Sequence, residues 1–191
     1  MLTPNILITN FCNQNCPFCF ARAEMKNKSI DQEMAIDEYK KLLIRIKKSD
    51  KSIDTIKLLG GEPTLHTQFE KIIKISLKQF TFVQIFTNGI IEEKRKIFLE
   101  QFFPRVKLTF NVMTPGMMFN KKIHKEVISC IDIFSQRTEV TLSLTIDPHT
   151  NIDLILNAIE KRTWASVFGF RIGFSNPVAG EKNLSFIDQF S

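Results

Sequence analysis

The stretch NILITNFCNQNCPFC, Asn5 to Cys19, joins a short strand pattern to a loop that holds three of the chain's four cysteines. Cys12, Cys16 and Cys19 are separated by three and then two residues. That spacing can bring the thiolates to one centre but leaves it one ligand short of the usual four. The remaining cysteine, Cys130, stands far away on a helical face with Ile123, Val127, Ile131 and Phe134, the surroundings of a buried structural thiol.

Outward from the loop, the chain alternates strand and helix patterns. SIDQEMAIDEYKKLLIRIKK predicts a helix, with Ser29 and Gln32 as a capping box and Ala35, Tyr39, Leu42, Leu43 and Ile46 on one face. IDTIKLL (Ile53 to Leu59) is a second strand, and Thr67 with Glu70 forms a second capping box ahead of Phe69, Ile72 and Ile73. TFVQIF (Thr81 to Phe86) is a third strand, followed by a helix over Glu92 to Phe102. VKLTFNV (Val106 to Val112) is a fourth, with a helix near Phe119 to Phe134. EVTLSLTI (Glu139 to Ile146) is a fifth, followed by a helix capped by Asn151, and VFGFRIGF (Val167 to Phe174) is a sixth.

Short connections between alternating units imply parallel strands, since parallel neighbours need a crossover. The result is either an open doubly wound sheet or a partly closed barrel, and in both the ligands gather at the carboxyl ends of the strands. Those ends carry CNQNCPFC, then GGEP (Gly60 to Pro63), then TNG (Thr87 to Gly89).

Bulk properties agree with one globular domain: 191 residues, 43% hydrophobic, 18 phenylalanines. The net charge of +6 is interspersed along helices and not gathered in a basic block, which argues for a solvated surface and against nucleic acid. Neither a signal-length apolar run at the amino terminus nor an apolar stretch of ~18 residues is present, so a soluble, cytoplasmic protein without membrane contact is expected. In that compartment clustered cysteines read as metal ligands or redox groups before disulfides.

Taken together and in order, these motifs resemble the radical S-adenosylmethionine (SAM) superfamily. Cys12, Cys16 and Cys19 match its CxxxCxxC pattern, Phe18 the aromatic before the last cysteine, and Gly60, Gly61 and Glu62 its GGE-type turn. The resemblance spans all six units and implies an α/β fold, a partial (β/α)6 TIM-like open barrel of parallel strands, with residues 1–191 as the core domain. The carboxyl-terminal extension that often defines substrate choice in the family is not seen after the sixth strand, so the chain reads either as a minimal enzyme of this kind or as a fragment of a longer one. It also implies a 4Fe-4S cluster on the three cysteines, with SAM's methionine moiety chelating the iron that lacks a protein ligand. Glu62 is expected to accept from the methionine ammonium group, Gly60 and Gly61 to permit close backbone approach, Phe18 to lie beside the adenine and Asn111 to meet the ribose. Thr87 and Asn88 are expected to face the cofactor, although Asn and Gly at a strand end also make an ordinary tight turn.

The implied activity is reductive cleavage of SAM to a 5′-deoxyadenosyl radical that abstracts hydrogen from a substrate. A reductant such as flavodoxin or ferredoxin is the implied partner. GGEPTLH is closest to relatives acting on peptides, proteins or cyclised nucleotides, and does not choose among them. Two other classes use the same cysteines: a structural zinc site completed by a histidine such as His66, and an electron-carrying iron-sulfur protein without SAM chemistry. His66 and His149 otherwise read as solvated loop histidines, with contact to a substrate as the alternative, and Arg171 on the sixth strand as the partner of a carboxylate, either SAM's or that of an ordinary ion pair.

Overall fold

The structure is a computed structural model that describes residues 3–16, 19, 32–112, 121–146 and 167–174. Six strands, β1 (Asn5–Thr9), β2 (Thr55–Gly60), β3 (Phe82–Thr87), β4 (Val106–Val112), β5 (Val140–Ile146) and β6 (Val167–Phe174), form one sheet in the order of the chain. Every pairing between neighbours is parallel. Because β1 and β6 are edges that do not pair with each other, the sheet stays open, as a partial barrel requires. Among the described residues the helices are α1 (Ile36–Ser49), α2 (Phe69–Gln79), α3 (Glu93–Glu100) and α4 (Lys121–Phe134). The predicted helix after β5 lies outside the described residues.

The strands alternate between two faces, and the register aligns like with like. Ile56 and Leu58 stand beside Val83 and Ile85, which stand beside Val106 and Leu108. All six are at most 1% exposed, and the same face continues to Phe110, whose ring lies 6.5 Å from that of Phe134 on α4. This face therefore lies under the helices and forms the core. Each such aliphatic side chain contributes about 1.5–3 kcal/mol of hydrophobic stabilisation. The opposite face carries Leu7, Gln84, Lys107, Asn111 and Ser143, none of them buried. Thr109 on the same face is buried, and Gln84 donates to its Oγ1 from Nε2 at 2.7 Å.

Helix α1 seats Tyr39 and Leu43 with no exposed surface, as its periodicity predicts. Its start differs from the sequence expectation. Ile36 opens the helix behind Ala35, which makes no side-chain cap; Ser29 of the expected capping box lies outside the described residues. Gln32 to Met34 instead runs antiparallel beside the end of β1: Asn10 N donates to Gln32 O at 2.7 Å and Met34 N to Ile8 O at 2.9 Å. The edge strand's own unpaired groups recruited this segment. Among the described residues, no helix is long and apolar enough to cross a membrane.

Candidate active site

The turn after β2 explains why two glycines stand together. A Cβ on Gly60 would lie 2.3 Å from the carbonyl oxygen of Thr9, and one on Gly61 2.3 Å from that of Phe11. Backbone therefore packs on backbone with no room for a side chain. Gly61 N donates to Thr9 O at 2.8 Å, and Glu62 N to Phe11 O at 2.7 Å. Phe11 immediately precedes Cys12, so this turn is the seat of the cysteine loop.

Glu62 follows at once and turns its carboxylate inward, where it has no exposed surface. Its Oε1 accepts from Thr64 N at 3.2 Å and Thr64 Oγ1 at 2.7 Å. Thr87 Oγ1 reaches both oxygens, and Asn88 N donates to Oε2 at 2.8 Å. Burial pushes the carboxyl pKa up, and these donors oppose that rise. The group is thus a buried acceptor shared by the ends of β2 and β3.

Asn88 completes the link to the cysteines. Its Nδ2 donates to Asn13 Oδ1 at 2.7 Å and lies 3.8 Å from Cys12 Sγ. Asn13 in turn donates from Nδ2 to Ile90 O at 3.0 Å. The TNG motif is also the tight turn that its composition suggests: Ile90 N donates to Asn88 Oδ1 at 2.8 Å, Gly89 N donates to Thr87 Oγ1 at 3.0 Å, and Gly89 adopts φ +82°. Turn geometry and contact with the cysteine loop are two uses of the same residues.

The thiols lie within electrostatic reach of one another. Burial pushes Cys16 up to about 11, with the charges of Cys12 and Cys19 adding to the rise. Burial likewise raises Cys12, opposed by the Gln14 backbone N–H, which lies 3.4 Å from its sulfur, and by Asn88. Among the described residues, no group of three or more His, Cys, Asp and Glu side chains is placed to share a single metal ion. Cys12, Cys16 and Cys19 nonetheless stand on one loop, and thiolates from such a loop are the donor type that an iron-sulfur cluster takes, one to each iron.

Below the loop, two sequence expectations are corrected. Thr67 does not cap α2 with Glu70; Gln68 precedes the helix and makes no side-chain cap. Glu33 instead takes Thr67 with both oxygens, from N at 2.7 Å and Oγ1 at 2.6 Å, while Glu70 pairs with Arg95 at 2.9 Å. His66 is not a solvated loop histidine but 1% exposed. Its Nδ1 accepts from Gln68 N at 3.0 Å, which leaves Nε2 to donate to Met34 O at 3.1 Å. Both ring nitrogens are engaged, so His66 has no lone pair for zinc.

Of the residues singled out from sequence, the fold brings together Cys12, Glu62, Thr87 and Asn88. Asn111 is exposed and stands beside Ser143 in register, on the uncovered face of the sheet. Thr87 aligns with Phe110 and is buried on the other face. Arg171 aligns with Ser143. Cys130 is buried on the inner side of α4, as expected of a structural thiol. Phe18 and His149 lie outside the described residues. Sequence reasoning missed Asn13, Thr64 and Glu33. A polar residue between clustered cysteines and a threonine two residues after a glutamate in a glycine turn are the available signals for the first two.

Comparison with known proteins gives the site its setting. A 7,8-dihydro-6-hydroxymethylpterin dimethyltransferase of Methanocaldococcus jannaschii is 37% identical over 87 residues, covering 45% of this chain and 17% of that protein. The sporulation killing factor maturation protein SkfB of Bacillus subtilis is 26% identical over 172 residues, covering 87% and 40%. Among solved structures, Streptococcus suis SuiB bound to S-adenosylmethionine superposes with a TM-score of 0.71 over 98% of this chain and 46% of its own, at 15% identity. SuiB has also been solved with its precursor peptide SuiA. The chain thus spans less than half the length of these relatives. Residues 6–161 match the family model of the Radical SAM superfamily, and the chain belongs to that superfamily.

Proposed function

We propose that the chain is the core of a radical SAM enzyme that acts on a peptide or protein. When bound, a 4Fe-4S cluster on Cys12, Cys16 and Cys19, with SAM on the iron that lacks a cysteine, would supply one-electron cleavage of SAM to methionine and a hydrogen-abstracting 5′-deoxyadenosyl radical. The observation that carries this reading is the seating of the cysteine loop on Gly61, Glu62 and Asn88.

The chain's own residues hold and shape the site. Gly60 and Gly61 let β2 support the loop from below, and Glu62 fixes the ends of β2 and β3 as one unit. Its negative charge favours a cationic group above it, so an ammonium group would gain from Glu62 through the field, or directly by replacing a threonine hydroxyl. Asn111, open on the uncovered face, has the position to meet a ribose, and Phe18 is assigned to the adenine by motif. A peptide substrate is supported by the kinds of relatives found, SkfB and the SuiB complex with its precursor peptide. A small acidic reductant in the cytoplasm would supply the electron.

The test needs only SAM and reductant. Protein reconstituted with iron and sulfide without oxygen, then given dithionite, is expected to convert SAM to 5′-deoxyadenosine and methionine. The variant with Cys12, Cys16 and Cys19 all changed to Ala is expected to release neither. If SAM binds and the cluster is reduced yet no 5′-deoxyadenosine forms, the reading fails. Zinc in place of iron and sulfide would return the structural alternative, which has lost His66 as its fourth ligand.

A further inference from the structure

We propose that Asn88 is a positioning residue that donates its side-chain amide to Cys12 Sγ and thereby raises the electron affinity of a cluster held on the cysteine loop. This rests on the iron-sulfur reading above and adds a residue-level claim that it does not contain.

The orientation of the amide is fixed by its neighbours. Ile90 N can only donate, so the group facing it at 2.8 Å must be Asn88 Oδ1. The Nδ2 group is then left facing Cys12 Sγ at 3.8 Å and Asn13 Oδ1 at 2.7 Å. The assignment of Asn13 agrees independently, because Ile90 O can only accept and therefore takes Asn13 Nδ2 at 3.0 Å. The two amides cannot be flipped without breaking both backbone contacts.

The same residue is anchored from behind by its own backbone N–H on Glu62 Oε2 at 2.8 Å, and the side chain is 8% exposed. The donor is thus held in place before any metal arrives. Adding an electron to an iron-sulfur centre makes the cysteine sulfurs more negative, and an N–H aimed at sulfur stabilises that reduced state. Its location in a water-poor position strengthens the effect. The donor therefore eases reduction.

The test is an EPR-monitored redox titration of the reconstituted full chain beside three variants. Asn88→Asp keeps the shape and the acceptor for Ile90 N but places an anion where the donor was. Asn88→Ala removes the donor together with the acceptor for Ile90 N and the contact to Asn13. Asn13→Ala removes the contact to Ile90 O and the Oδ1 that Asn88 Nδ2 also donates to, while Ile90 N on Asn88 Oδ1 still turns the amide toward Cys12. The expected order of midpoint potentials is wild type equal to Asn13→Ala, then Asn88→Ala, then Asn88→Asp the most negative, with iron and sulfide content unchanged.

Equal potentials for wild type and Asn88→Asp would overturn the proposal. So would a shift in Asn13→Ala as large as that in Asn88→Ala, since loop position and not the donor would then set the potential. Loss of the cluster from both Asn88 variants in a chain that remains folded by circular dichroism would also overturn it, because a tuning donor is not needed to hold iron. A wild-type chain that assembles no cluster fails at the earlier step and refutes the iron-sulfur reading itself.

Discussion

The hydroxyl of Thr87 lies 3.0 and 3.1 Å from the two carboxylate oxygens of Glu62, so the last residue of β3 and the turn after β2 share one buried acceptor. Glu62 also receives Asn88 N, which places the whole rim from Gly60 to Ile90 under the influence of a single side chain. The consequences can be measured in stability and in its pH dependence.

Replacing Glu62 with Gln puts an NH2 group among donors and leaves a buried N–H without an acceptor, costing about 1–3 kcal/mol in urea unfolding. The pH dependence should change as well. Burial raises the folded pKa above the unfolded value, so the folded chain binds this proton more tightly. That contribution is complete below the ordinary glutamate range and is lost as pH rises through the raised value. Glu62→Gln should lack this loss, so its stability relative to wild type should improve as pH rises. Parallel pH profiles for the two proteins would show that the carboxylate titrates normally.

Gly61→Ala tests the seat of the cysteine loop. Its methyl would lie 2.3 Å from Phe11 O and 2.9 Å from Asn10 O, both backbone atoms with little freedom to yield. Overpacking of this kind costs about 1–3 kcal/mol. The displaced loop should also hold less iron after reconstitution. Wild-type stability together with wild-type iron content would mean that the turn and the loop are not coupled.

Cys130 tests the division between a structural thiol and the proposed cluster ligands. It is buried, and burial pushes its thiol up to about 12. Cys130→Ala should keep full iron and sulfide content while losing on the order of 1 kcal/mol of stability for the smaller side chain. Cys16→Ala should lose the cluster. The reverse pattern would overturn the ligand assignment.

The sheet was legible in the sequence because its strands are short apolar or alternating runs, and the site loops because the first three strands end on CNQNCPFC, GGEP and TNG. Local signals at helix starts were less dependable. Thr67 and Glu70 have capping-box spacing, but Thr67 is held by Glu33, 34 positions earlier in the chain. His66 reads as a loop histidine until Met34 O, 32 positions away, closes over its ring. Glu62 was legible as a site residue, but its partners Thr87 and Asn88, 25 and 26 positions on, give it a buried place that no local pattern encodes. In each case a contact between distant segments outweighs a local preference.

The sheet's strictly sequential order has a consequence for assembly during synthesis. Each strand pairs with the one made just before it, so the sheet can lengthen from its amino-terminal edge without waiting for a later strand to be inserted. The cysteine loop, the glycine turn and the Asn88 amide all belong to the portion that ends by Ile90. A nascent chain can therefore join the glycine turn, the cysteine loop and the Asn88 turn into one unit before the carboxyl-terminal strands have been made.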